Sequence, residues 1–154
     1  MRIEIAKITD LSEILQLQYL AYQSEAKLNN NYRIPPLLQT LDEVQKEYQN
    51  GIILKALDED NKIIGSVRGH VKRNTLYIGK LIVHPDHRGK GIGTKLLQSI
   101  EVTYPKLRYE LFTSSKSKKN IRLYERLGYV RFTEKTFAPD SFLIYFEKNA
   151  VPSF

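Results

Sequence analysis

The sequence predicts one mixed α/β domain in which helices cover a central sheet. Three observations lead there. Runs with period-two apolar alternation are interspersed with segments whose apolar residues recur at helical spacing. Two tight turns join three successive strand-like runs in the middle of the chain. No repeat and no linker-like stretch interrupts the 154 residues, a length that suits one domain with a proper core. The domain is expected to span residues 1–154.

The elements follow in order. Residues 2–8, RIEIAKI, alternate and read as a strand. Asp10 and Glu13 have capping-box spacing, and Leu11, Ile14 and Leu15 open a helix over about 11–23. The stretch SEAKLNNNYRIPPLLQ is polar, asparagine-rich and broken by Pro35-Pro36, which predicts a long irregular segment with room for a helical turn, of a kind that is commonly functional or disordered. Thr40 and Glu43 cap a second helix, with Leu41, Val44 and Tyr48 on one face and Gly51 just past its end. IILKALD, KIIGSVRGHV and TLYIGKLIV, joined by DEDN and KRN, form a three-stranded meander. From Ile92, the residues Leu96, Leu97 and Ile100 mark a helix face that must end by Tyr104-Pro105. LRYELFT is a further strand, NIRLYERL a short helix stopped by Gly128, and YVRFTEKTF and SFLIYFEK close the chain as strands.

Composition narrows the function classes. With no cysteine there are no disulfides, thiolate metal sites or cysteine nucleophile. No apolar run is long enough to cross a bilayer, and MRIEIAKITD lacks a signal-peptide core, so a cytoplasmic protein with no membrane partner is expected. The net charge of +7 is uneven: residues 1–60 carry 6 Lys/Arg against 10 Asp/Glu, whereas 61–135 carry 17 against 5. The second half is therefore suited to an anionic partner, and a polyphosphorylated small molecule serves as well as nucleic acid. A single-strand surface would interleave aromatics with its lysines. KSKKNIR holds none, so no nucleic-acid partner is expected.

The most informative stretch is HPDHRGKGIGT, residues 84–94, behind the apolar LIV. A strand that enters a glycine turn and then a helix is suited to binding phosphate. The first-turn amides of the helix lack intrahelical acceptors, and glycines let the backbone approach the anion. Arg88 and Lys90 add charge, and Thr94 adds a hydroxyl. The spacing matches neither the Walker A loop nor the dinucleotide fingerprint, since Gly93-Thr94-Lys95 has no glycine five before it and the third glycine comes one residue too early.

The longer stretch LIVHPDHRGKGIGTKLL resembles the acyl-CoA-binding motif of the GNAT superfamily of N-acetyltransferases, an apolar strand, V-x-P, then [QR]-x-x-G-x-[GA]. Arg88, Gly91 and Gly93 fall on that pattern in order, with Val83 and Pro85 in its lead-in. NIRLYERLGY resembles the family's helix [LI]-Y-[ED]-x-x-G-[FY] through Leu123, Tyr124, Glu125, Gly128 and Tyr129, with Asn120 four before the tyrosine. The resemblance covers nearly the whole chain. It implies a mostly antiparallel sheet of six to seven strands flanked by about four helices and splayed between strands four and five. It also implies acetyl-CoA as acyl donor and no metal. The donor would contact Leu81, Ile82, Val83, Arg88, Gly89, Lys90, Gly91, Ile92, Gly93 and Thr94. The family's asparagine seven before the tyrosine is Ser117 here, which leaves open whether Ser117 or Asn120 contacts CoA.

By the same resemblance, an amine attacks the thioester directly in a ternary complex, a backbone amide of strand four stabilises the thioester oxygen, and Tyr124 is the general acid for the departing thiolate. Glu110 is a candidate base, with His70 and His84 as weaker ones. The 22–39 segment is expected to cover the acceptor site as a lid and to offer Tyr22, Glu25, Tyr32 and Arg33. Its acidic surroundings suggest a cationic amine. Small amines, antibiotics, peptide N-termini and protein lysines all remain open as acceptors, as do acyl groups other than acetyl and a homodimer. The alternative is a catalytically silent acyl-CoA-binding regulatory module.

Overall fold

The computed structural model describes residues 1–149. Among these, seven strands form one sheet in the order β1-β2-β3-β4-β5-β7-β6. They are β1 (Arg2–Ile5), β2 (Ile52–Leu57), β3 (Ile63–Lys72), β4 (Thr75–Val83), β5 (Arg108–Ser114), β6 (Val130–Ala138) and β7 (Ser141–Lys148). Every neighbouring pair is antiparallel except β4 and β5, which are parallel. The helices are α1 (Leu11–Ala21), α2 (Gln23–Asn29), α3 (Pro35–Leu38), α4 (Leu41–Asn50), α5 (Ile92–Thr103) and α6 (Lys118–Arg126).

The four longer helices sandwich the sheet. Leu11 and Ile14 of α1 and Val44 of α4 pack with Ile53, Leu57 and Ile82 on one face. On the other, Leu96, Leu97 and Ile100 of α5 and Ile121 of α6 pack with Leu54, Leu76, Leu111 and Phe146. Each such side chain, fully buried, contributes about 1.5–3 kcal/mol. Between these layers β2 is buried along its whole length, which is why IILKAL reads as a continuous run rather than an alternation. The turn between β3 and β4 holds Arg73 and Asn74 at φ of +50° and +63°, the left-handed pair that a two-residue hairpin needs.

Four local expectations change. The 22–39 segment is not irregular: α2 and α3 occupy most of it, and Pro35-Pro36 open α3 instead of breaking a helix, because proline fits the first helical turn. The first strand stops at Ile5. Asp10 does not cap α1; its carboxylate accepts from Lys7 N at 2.7 Å and Lys55 Nζ at 2.6 Å. Gly51 ends α4 in extended backbone, not as a left-handed cap. A Cβ there would lie 2.1 Å from the Gly69 carbonyl oxygen, so close strand approach demands the glycine.

Candidate active site

The parallel pair defines the site. β4 and β5 are in register only at Thr75–Arg108, Leu76–Tyr109 and Tyr77–Glu110, after which β5 continues against β7 alone. The cause lies in β4: its pairing with β3 slips between Ser66 and Arg68, opposite Lys80 and Leu81, and Lys80 sits at φ +47°. A bulge of this kind bends the strand away from its neighbour. Gly79 directly precedes it. Past the bulge, His84 N donates to Ile64 O at 2.8 Å. By alternation Ile82 then bonds to β3, while the amides of Leu81 and Val83 turn into the opening. The side chain of Ile82 is buried in the core on the α1/α4 face.

The glycine turn closes one end of the opening. After β4, a 3₁₀ turn over Pro85–His87 leads through Arg88 to Gly89 and Gly91, both at φ +79°. Gly91 is the N-cap of α5 and no side chain caps that helix, so the amides of Ile92, Gly93 and Thr94 have no helical acceptor. A Cβ on Gly89 or Gly91 would meet nothing within 4 Å, so the turn that leads into these donors is bordered by open space. Lys90 is exposed beside them. Arg88, exposed beside the turn, donates from one guanidinium nitrogen to Ala21 O at 2.8 Å, which ties the turn to the end of α1 and leaves its other donors unspent by that bond. His84 is also locally engaged, its Nδ1 accepting from Asp86 N at 3.1 Å. His70 stacks on Tyr77 with centroids 5.3 Å apart.

Tyr124 on α6 is 5% exposed, with its ring 5.7 Å from that of Phe146. Burial first, then the neighbouring Tyr22 and Glu25, push its ionisation far above the usual phenol range. Tyr22 follows α1 on one face of the sheet and Tyr124 lies on α6 over the other, so the two face each other through the opening. Tyr22 is likewise raised, by burial and by Glu25 and Glu47, against the opposing charge of Arg68. Glu25 accepts from Ser117 Oγ, 2.5 Å from both carboxylate oxygens, and Asn29 Oδ1 accepts from Ser114 Oγ at 2.9 Å. These bonds strap α2 across from α1 to β5 and α6. Asn120 donates to Thr113 Oγ1 at 3.3 Å. Tyr32, 57% exposed, stays outside this cluster.

A polar cluster on the α1/α4 face went unrecognised in the sequence. Arg68 is 5% exposed; its guanidinium reaches Glu47 at 2.7 Å, Gln39 at 2.9 Å and Gln18 at 2.5 Å. Lys80 Nζ donates to Glu47 at 2.9 Å. Burial alone would raise the Glu47 carboxyl, but bonds and charges from Lys80 and Arg68 outweigh it and hold it below the usual range. Glu110, at the apex of the opening, accepts from Arg108 at 2.9 Å, and Arg108 also reaches Glu147 at 3.1 Å. The available signal was a charged residue inside an apolar strand, Arg68 in IIGSVRG and Lys80 in YIGKLIV.

A strand pair opened by a bulge, with an uncapped helix N-terminus at one end and a buried phenol at the other, agrees with the resemblance in the motifs. The family model described as the acetyltransferase (GNAT) family matches residues 10–129. The chain belongs to the GNAT acetyltransferase family. A relative from Bacillus subtilis (strain 168), S-(2-succino)cysteine N-acetyltransferase, is 30% identical over 96% of this chain and 95% of its own. Two solved structures share the GNAT fold. The ribosomal-protein-S18-alanine N-acetyltransferase of Escherichia coli has a TM-score of 0.79 at 15% identity, covering 99% of this chain and 96% of that one. A phosphinothricin acetyltransferase of Sinorhizobium meliloti, in complex with AcCoA, has 0.74 at 18%, covering 97% and 88%. At these identities the likeness shows the fold alone. As in the GNAT pattern, the position of Gly93 accepts alanine, and the structure gives the reason: a Cβ there would rest 3.6 Å from Leu123 in ordinary contact.

Proposed function

We propose that this GNAT protein moves an acetyl group from acetyl-CoA to a primary amine by direct attack in a ternary complex. One observation carries the reading: the outward amides of Leu81 and Val83, the uncapped start of α5 and Tyr124 border a single opening in the sheet. Acetyl-CoA supplies an acyl thioester whose thiol departs. The open space beside the glycine turn suits its pyrophosphate, with Lys90 adding charge. An amide of Leu81 or Val83 donates to the thioester oxygen as negative charge develops there, and a fixed donor costs no reorganisation.

Tyr124 donates to the departing sulfur. A phenol held far above its usual range stays protonated at any working pH, which suits a hydrogen-bond donor. Complete transfer is uphill unless coupled to the proton that the attacking ammonium loses. Glu110, at the apex of the opening, is the base we assign to that proton. The Bacillus subtilis relative's name supports a small-molecule amine as acceptor. The test is thiol release from acetyl-CoA across a panel of amines, with CoA affinity measured separately by calorimetry. Release with at least one amine supports the reading. CoA binding with no release from any amine points to the silent binding module instead.

A further inference from the structure

Gly79 and Arg68 are paired residues on β4 and β3. Directly opposed residues share a face, and Arg68 reaches Gln18 and Glu47 on the α1/α4 side. A side chain at Gly79 would therefore point to that side, where a Cβ meets nothing within 4 Å. The glycine makes a bay at the apex of the opening. One wall is Arg68 and Lys80, with Glu47 their shared carboxylate; two cations against one anion leave it net positive. Among the described residues, Lys80 uses one of its three donors, and Arg68 Nε is the buried side-chain atom left without a partner. The far wall, where Glu110 pairs with Tyr77, holds Glu110 and Glu147 against the single Arg108 and is net negative.

We propose that this bay selects amines that also carry a carboxylate, such as free amino acids, with the carboxylate received by Lys80 and Arg68 and the ammonium directed to the Glu110 side. The inference rests on the acetyltransfer reading and deepens it. It reverses the cationic acceptor suggested by the acidic N-terminal third, because the local charges beside the opening outweigh a regional balance that solvent screens. A polyamine would meet Lys80 and Arg68 with like charge.

The experiment measures kcat and KM for free amino acids, their carboxamides and their decarboxylated amines, with spermidine as polycation, on the wild type, Lys80→Met, Lys80→Arg and Gly79→Val. Wild type should prefer the free amino acid about tenfold or more over its carboxamide, the scale of a charge-assisted contact. Lys80→Met should erase that preference by raising KM for the amino acid while KM for acetyl-CoA stays constant, and Lys80→Arg should restore most of it. Gly79 needs no left-handed backbone, so Gly79→Val should fold and raise acceptor KM by filling the bay, which keeps the test alive if Lys80→Met is unstable. Wild-type preference for the carboxamide or spermidine, or an equal loss on all acceptors in Lys80→Met, overturns the inference while leaving acetyltransfer intact. Absence of turnover with every amine overturns the acetyltransfer reading, and this inference with it.

Discussion

Gly91 and Gly93 lie two residues apart in the same turn, yet the structure gives them opposite tolerances. Gly91 sits at φ +79° with open space before it, whereas Gly93 is the second residue of α5, where a Cβ would contact Leu123, Val83 and Leu81 at 3.6 to 3.9 Å. Gly91→Ala forces an L side chain into the left-handed region at about 1–2 kcal/mol, a fall in Tm of roughly 2–8 °C for a domain of this size. Its methyl would also enter the open space beside the turn, where the phosphate-cradle reading places the anion. Losing one charge-assisted hydrogen bond is worth about 1.5–3 kcal/mol, which predicts a Kd for CoA weaker by roughly ten- to a hundredfold. Gly93→Ala instead gains helix propensity of about 0.8–1 kcal/mol and places its methyl on the protein. Its Tm should hold or rise, and its Kd should change little. Thermal melts and calorimetric titration with CoA measure both quantities. Equal CoA affinity in the two folded variants would refute the phosphate-cradle reasoning.

Tyr124→Phe should lower kcat by roughly ten- to a thousandfold with CoA affinity unchanged; full turnover would make the ring a packing residue. Glu25→Ala and Ser117→Ala break the same bond between α2 and α6, so each should raise acceptor KM while KM for acetyl-CoA stays constant, and the double variant should do no worse than either alone; additive effects would separate the two residues. Asp10→Asn should destabilise the protein by about 3 kcal/mol at neutral pH in urea unfolding, because the Lys55 side chain, 8% exposed, loses its counter-ion. Despite burial, the bonds to Lys55 and Lys7 hold the Asp10 carboxyl below its ordinary 3.8, as Lys80 and Arg68 hold Glu47 below 4.5. A depressed carboxyl stabilises the fold above its unfolded value and loses that contribution as pH falls through the folded one. Unfolding free energy should therefore hold from neutral pH to about 5 and decline below 4.5, and Asp10→Asn should flatten part of that decline.

What the chain determines by itself is whatever depends on neighbours a few residues away. The reciprocal cap of Thr40 and Glu43 forms as its spacing predicts. The apolar face of α5 is Ile92, Leu96, Leu97 and Ile100 as read, and the glycine turn announces its left-handed backbone through the residues that tolerate it. The splay was available only through the family resemblance, because no local signal states which strand lies beside which. Tertiary structure decided the rest. Arg88 also ties to Ala21 O, 67 residues away, a contact that no local pattern announces. Glu25 finds Ser117 across 92 residues, and Asp10 leaves its cap for Lys55 across 45. Arg68 and Lys80 read as ordinary strand residues because their meaning depends on Glu47, Gln18 and Gln39 arriving from α1, α4 and the turn before α4. Helix caps and periodicities are short-range interactions written in adjacent residues. A charged bay is a sum over side chains that only the packed sheet brings within hydrogen-bonding distance.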